Sequence, residues 1–129
     1  FGMASPNIFR CNSAPHAQVF PRCAAVVHHG GAGTTHTALR AGCPSVVVEH
    51  AFDQQFWGSE LQRLGAAGEV LHRNTLAVDG LAKTIQKTIH AESMQRSAKA
   101  LGQTMQHENG VQRALALIEE NFAPESLNL

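Results

Sequence analysis

The sequence predicts an α/β fold, a parallel sheet with flanking helices that gives way to a helical final third. Three observations lead there. Short continuous apolar runs, Ala24-Ala25-Val26-Val27 and Val46-Val47-Val48, read as strands buried on both faces of a parallel sheet. Glycine and proline punctuate everything before about residue 72. After residue 75 the apolar residues recur only at helical spacing.

Taken in order, Asn7-Ile8-Phe9-Arg10 is a short strand candidate ahead of the first strong run. A helix is expected over 34–41, stopped by Gly42 and Pro44. The Val46 run follows, then a helix over 53–64 ended by Gly65, then a brief strand at Glu69-Val70-Leu71. Val78, Leu81, Ala82, Ile85 and Ile89 share one helix face. So do Met94, Ala98, Leu101 and Met105, and after an Asn109-Gly110 break, Val111, Leu115, Ile118 and Phe122. The alternation of strand and helix implies a right-handed crossover connection. Residues 123–129 read as a flexible tail, or one that needs a partner domain.

Composition narrows the function. The 129 residues fit one domain, and 43% hydrophobic with 16% charged residues is a globular balance. Ten basic and ten acidic side chains cancel, so nothing attracts nucleic acid or an anionic membrane surface. Three cysteines, Cys11, Cys23 and Cys43, lack CxxC spacing, which argues against a zinc ribbon or a disulfide framework and favours a reducing cytoplasm. No apolar run approaches the ~20 residues of a membrane span. No secretory signal is visible, and the chain opens with Phe1, as expected of an excised fragment.

The chemistry concentrates in His28-His29-Gly30-Gly31-Ala32-Gly33-Thr34-Thr35-His36. A buried strand delivers the chain to its carboxyl end, glycines turn it sharply, and a helix begins. Free N–H groups and the positive end of a helix dipole there suit an anion, with a diphosphate the obvious guest. Thr34 and Thr35 can donate hydroxyls or cap the helix. A plain strand-to-helix turn would need fewer glycines. The triphosphate loop GxxxxGK[ST] is excluded because no lysine follows. The dinucleotide pattern GxGxxG matches at Gly31-x-Gly33, with His36 in the third glycine's place and Glu49 as a candidate ribose acid. An NAD(P)-binding module of a dehydrogenase is thus the alternative.

A second segment, Glu49-His50-Ala51-Phe52-Asp53-Gln54, leaves the next strand at the same edge. The carboxyl ends of neighbouring parallel strands share one crevice, so Asp53 and Gln54 would face the same ligand as His29. A carboxylate and an amide suit sugar hydroxyls, although Asp53 could equally cap the helix that follows. Of the other residues, Phe56 and Trp57 read as core, and Cys43 as a small buried residue. His28, His29 and His36 lack metal-ligand spacing, so no metal is expected.

Together these residues resemble the donor-binding signature of the UDP-glycosyltransferase family, in its sterol-glucosyltransferase and antibiotic-glycosyltransferase branch. The match runs from Pro15-His16 and Phe20-Pro21 through the HHGGAGTT loop and Ala41-Gly42-x-Pro44 to Asp53-Gln54-x-Phe56-Trp57-Gly58, covering residues 13–65. The resemblance implies a Rossmann-like carboxyl-terminal half of the GT-B fold, with 1–129 as a donor-binding domain lacking its amino-terminal acceptor domain. It implies that His29, Gly31, Gly33 and Thr34 bind the diphosphate, Asp53 and Gln54 the sugar, and Ser13, Ala14 and His16 the uracil. His28 is a structural neighbour in this reading. Thr37 stands where a related plant box has a ribose-binding glutamate, and Glu49 replaces a customary proline. The implied donor is a UDP-sugar, as substrate and not cofactor, with glucose as default. The implied reaction is inverting transfer without a bound metal, to a lipid, sterol or natural-product hydroxyl. Its base is a histidine of the absent domain, so the fragment alone is expected not to turn over. Peripheral membrane contact of the full-length protein fits a lipid acceptor. A domain that kept the fold and lost the ligand is a weaker option, opposed by the intact His29 and Asp53-Gln54.

Overall fold

The computed structural model describes residues 6–122; the tail expected over 123–129 lies outside them. Three parallel strands form one sheet in the order β1 (Val26–His28), β2 (Ser45–Glu49), β3 (Leu71–His72). Val27 pairs with Val46 and Val48 with Leu71, so β2 is central. Its residues from Ser45 to Val48 are buried, as a β-branched run flanked on both sides should be.

The outer strands depart from expectation. β1 begins at Val26, and only Val26 is buried; Val27 is 47% exposed, so this edge strand is covered on one face within the described residues. β3 is two residues long and starts at Leu71, with Val70 buried just before it. Residues 7–10 form no strand. Ile8 and Phe9 lie exposed.

Six helices frame the sheet among the described residues. The first, α1 (His16–Val19), runs into a single 3₁₀ turn at Phe20–Arg22. Between β1 and β2 comes α2 (Ala32–Arg40), and after β2 comes α3 (Gln54–Arg63). The remainder is α4 (Val78–His90), α5 (Glu92–Gln106) and α6 (Gly110–Phe122). The second helix starts earlier than the 34–41 expected, because Gly31 is still extended (φ −65°, ψ 143°) and Ala32 enters the helix directly. It stops where glycine predicts. Gly42 has φ +66°, its N–H donates to the Leu39 carbonyl at 2.8 Å, and the Cys43 N–H donates to the Ala38 carbonyl at 3.0 Å. The Asn109-Gly110 break is the start of α6, where Asn109 Oδ1 accepts from the Gln112 N–H at 3.2 Å.

Two apolar clusters hold the layers together. Phe20, Val26, Ala38 and Cys43 join the 3₁₀ turn and α2 to the sheet; Leu39, Val47, Leu61, Val70 and Ala98 join α2, α3 and α5 to it. Cys43 behaves as the small buried residue expected: burial, with the neighbouring Cys23, pushes its thiol up to about 11. The fifth helix meets α2 backbone to backbone. A Cβ at Gly102 would stand 2.7 Å from the Leu39 carbonyl oxygen, so only glycine allows this approach. Arg40 Nη1 donates to the Met105 carbonyl at 2.9 Å, and Gln106 Nε2 donates to the Arg40 carbonyl at 3.3 Å. By contrast, Val111, Leu115, Ile118 and Phe122 of α6 are all exposed. No helix among the described residues is long and apolar enough to cross a membrane.

Candidate functional site

The carboxyl ends of β1 and β2 lie side by side, and each delivers a turn that leads into a helix. Gly30, at φ +89°, turns the chain after β1. A Cβ there would sit 2.9 Å from Val47 Cγ1 and 3.0 Å from the Gln54 carbonyl oxygen. The first turn is thereby pressed against the start of α3. This approach brings the two loops together at the sheet edge, with the glycine turn after His29 against Gln54.

The two histidines divide as strand alternation requires. His28 turns inward, and its Nδ1 accepts from the Gly30 N–H at 3.1 Å, so it holds the turn from within. Because Nδ1 accepts, the ring proton sits on Nε2, which is buried without a partner among the described residues. Burial first, then the neighbouring His29, lowers the His28 pKa from 6.5 to about 4, so this imidazole is neutral at physiological pH. His29 is exposed and its ring lies across the glycine turn. A Cβ at Gly31 would come within 2.5 Å of His29 Nε2. The ring centroid of His50, exposed after β2, is 6.3 Å from that of His29.

No side chain caps α2, so its first amides remain available at the crevice. Gly33, in that first turn, has nothing within 4 Å of where a Cβ would stand. One turn further, Thr37 donates its hydroxyl to the Gly33 carbonyl at 2.8 Å. Thr37 also borders a hollow of about 370 Å³ with Ala17, Pro21, Arg40, Ala41 and Gln106, on the α1 side of α2. Ser13 is exposed and Ala14 half-buried, and His16 opens α1 and stacks on Phe20 at 4.6 Å.

On the other flank, Asp53 occupies the N-cap position of α3, yet its carboxylate caps nothing. Oδ2 accepts instead from the indole N–H of Trp57 at 2.8 Å. Gln54 is half spent in the same way: Oε1 accepts from the amides of His50 and Ala51 at 2.8 and 3.2 Å, leaving Nε2 as its outward donor. Just before Asp53, Phe52 is the one non-glycine residue at positive φ (64°) among those described, and it is 96% exposed. The core role expected for Phe56 and Trp57 fails for Phe56, 59% exposed; Trp57 is half-buried, edge-on to His36 at 5.3 Å. Sequence reasoning missed the indole donor, the Gln54 tether and Phe52. The i, i+4 spacing of Asp53 and Trp57 was the one available signal.

The dinucleotide alternative fits this geometry poorly. His36, in the third glycine's place, is packed on Trp57, and Glu49, the candidate ribose acid, is in close contact with the His72 ring through its carboxylate. Among the described residues no three His, Cys, Asp or Glu side chains cluster to hold a metal ion.

Comparisons with known proteins give the family and the fold. The family described as "Erythromycin biosynthesis protein CIII-like, C-terminal domain" matches residues 3–115. A sterol 3-beta-glucosyltransferase of Arabidopsis thaliana is 36% identical over 92% of the chain, which spans 19% of that enzyme. The O-mycaminosyltylonolide 6-deoxyallosyltransferase of Streptomyces fradiae is 38% identical over 92% of the chain and 28% of its own length. Among solved structures, the glycotransferase of kitacinnamycin superposes with a TM-score of 0.80 at 25% identity, over 93% of this chain and 31% of that one. The fold is thus that of the carboxyl-terminal half of a GT-B glycosyltransferase. The chain belongs to the EryCIII-like carboxyl-terminal domain family, and spans less than a third of the relatives it matches.

Proposed function

We propose that this domain binds the nucleotide-sugar donor, a UDP-hexose with UDP-glucose as default, for inverting, metal-independent glycosyl transfer. The observation that carries the reading is the contact of Gly30 with the Gln54 backbone, which joins an uncapped helix end and two sugar-competent side chains in one crevice. In this reading His29 and the amides around Gly31, Gly33 and Thr34 hold the diphosphate. Asp53 and Gln54 hold hexose hydroxyls. Thr37 lies toward the ribose, and Ser13, Ala14 and His16 toward the uracil. That sequence of contacts runs from α1 across the end of α2 to α3, as an extended nucleotide sugar would.

The chemistry follows from where charge develops. An acceptor hydroxyl attacks the anomeric carbon, the bond to the phosphate oxygen breaks, and UDP leaves with the electron pair. The hydroxyl proton passes to a base on the amino-terminal acceptor domain. The helix end and His29 stabilise the leaving diphosphate, so binding strengthens toward the transition state. The acceptor is a lipid, sterol or natural-product hydroxyl, classes in keeping with one relative named for a sterol and another named for O-mycaminosyltylonolide. A cytoplasmic enzyme, with peripheral membrane contact for a lipid acceptor, fits this chemistry.

Titrating the 129-residue chain with UDP, UDP-glucose, dTDP and NAD tests the donor site. UDP and UDP-glucose should saturate with Kd of about 0.1–1 mM, the strength of a few helix-end and hydrogen-bond contacts, with no sugar transfer. The variant Gly33→Ala should fold normally, since its methyl meets no protein atom, yet bind UDP about tenfold or more weakly because the methyl blocks close approach of the phosphates. Saturation by NAD alone, or steady transfer by the chain itself, would overturn the reading.

A further inference from the structure

Deepening that reading of the Asp53 site, we propose that Trp57 is a positioning residue for the sugar-binding carboxylate, so that its indole N–H sets hexose affinity without touching the donor. An Asp at a helix start has an easier use for its carboxylate, the free amides of its own helix. Asp53 declines it. Its Oδ2 accepts the Trp57 N–H at 2.8 Å, while the Asp53 carbonyl accepts the Trp57 backbone N–H at 3.1 Å. Indole nitrogen is a donor only, so this contact is available to an ionised carboxylate and closed to any donor in its place.

The indole is itself fixed. His36 meets it edge-on from α2 at 5.3 Å, and Phe56 at 5.2 Å. The next residue, Gly58, lets α3 settle on the sheet, where a Cβ would stand 2.8 Å from Val70 Cγ2. One oxygen of Asp53 is therefore held and the other is left to a sugar hydroxyl. An exposed, untethered carboxylate would spend most of its time in other rotamers and would have to be ordered on binding.

Isothermal titration of wild type, Trp57→Phe, Asp53→Ala and the double variant decides this. Trp57→Phe keeps the ring and loses the N–H. It should lower affinity for UDP-glucose about five- to tenfold and leave UDP affinity within about twofold. Asp53→Ala should do the same, and in its background Trp57→Phe should add nothing. As a readout needing no variant, the indole proton of Trp57, the single tryptophan, should shift in NMR on adding UDP-glucose and stay put with UDP. Equal losses for both ligands, no loss for either, additive losses in the double variant, or an indole proton indifferent to the sugar would each overturn the role. If wild type binds neither ligand, the donor-site reading itself fails and takes this proposal with it.

Discussion

The chain makes the same move twice, strand to turn to helix, after β1 and again after β2, with opposite solutions. The first turn takes its left-handed residue as glycine, Gly30 at φ +89°, because Val47 and Gln54 leave no room for a side chain. The second takes it as phenylalanine, Phe52 at φ 64°, because that side chain points into open solvent and only the backbone suffers. The first is held from inside by a half-buried imidazole, the second from outside by the Gln54 amide. Sterics dictate the residue in one turn; in the other a tether compensates for it.

The largest way to break this contrast is Gly30→Ala. Left-handed strain and overlap with Val47 and Gln54 together should lower stability by about 3–4 kcal/mol in chemical denaturation, and abolish UDP binding. Acid comes next. His28 carries its lowered pKa in the folded state, so the unfolded chain binds the extra proton between pH 6.5 and about 4. The stability held by neutral His28 is complete above pH 6.5 and drains as pH falls toward 4, by about 3 kcal/mol. His28→Gln, which does not titrate, should flatten that part of the stability curve.

The second turn should respond less. Gln54→Ala releases two amides that water can reach, at about 1 kcal/mol, with loosening of the loop visible in amide exchange at His50 and Ala51. Smallest, and opposite in sign, Phe52→Gly should raise stability by about 0.5–1 kcal/mol in the same denaturation assay. A loss on that change would mean that Phe52 packs against something.

What was legible in the residues follows the same divide. The β-branched run of β2, the stop at Gly42 and the glycine turn itself are dictated locally by side-chain shape and backbone sterics, and all stand where the pattern put them. Residues 7–10 had a strand's composition yet form no strand, because strand formation depends on tertiary context that composition does not reveal. Burial of Val27 depended equally on what covers the sheet's other face. Within the candidate site, the hydrogen bonds were not readable. Whether Asp53 turns to its own helix or to an indole one turn on is decided by torsions that α2 and the sheet impose through His36 and Gly58.

The backbone contact at Gly102 turns α2 into a lever. Nine residues at ~1.5 Å each make a rod of roughly 13 Å, clamped by α5 at one end and carrying the crevice amides at the other. A methyl at Gly102 that pried the clamped end by about 5° would swing those amides by roughly 1 Å, a displacement that matters where atoms must meet in register. A residue remote from the proposed donor site would thus set the position of its amides.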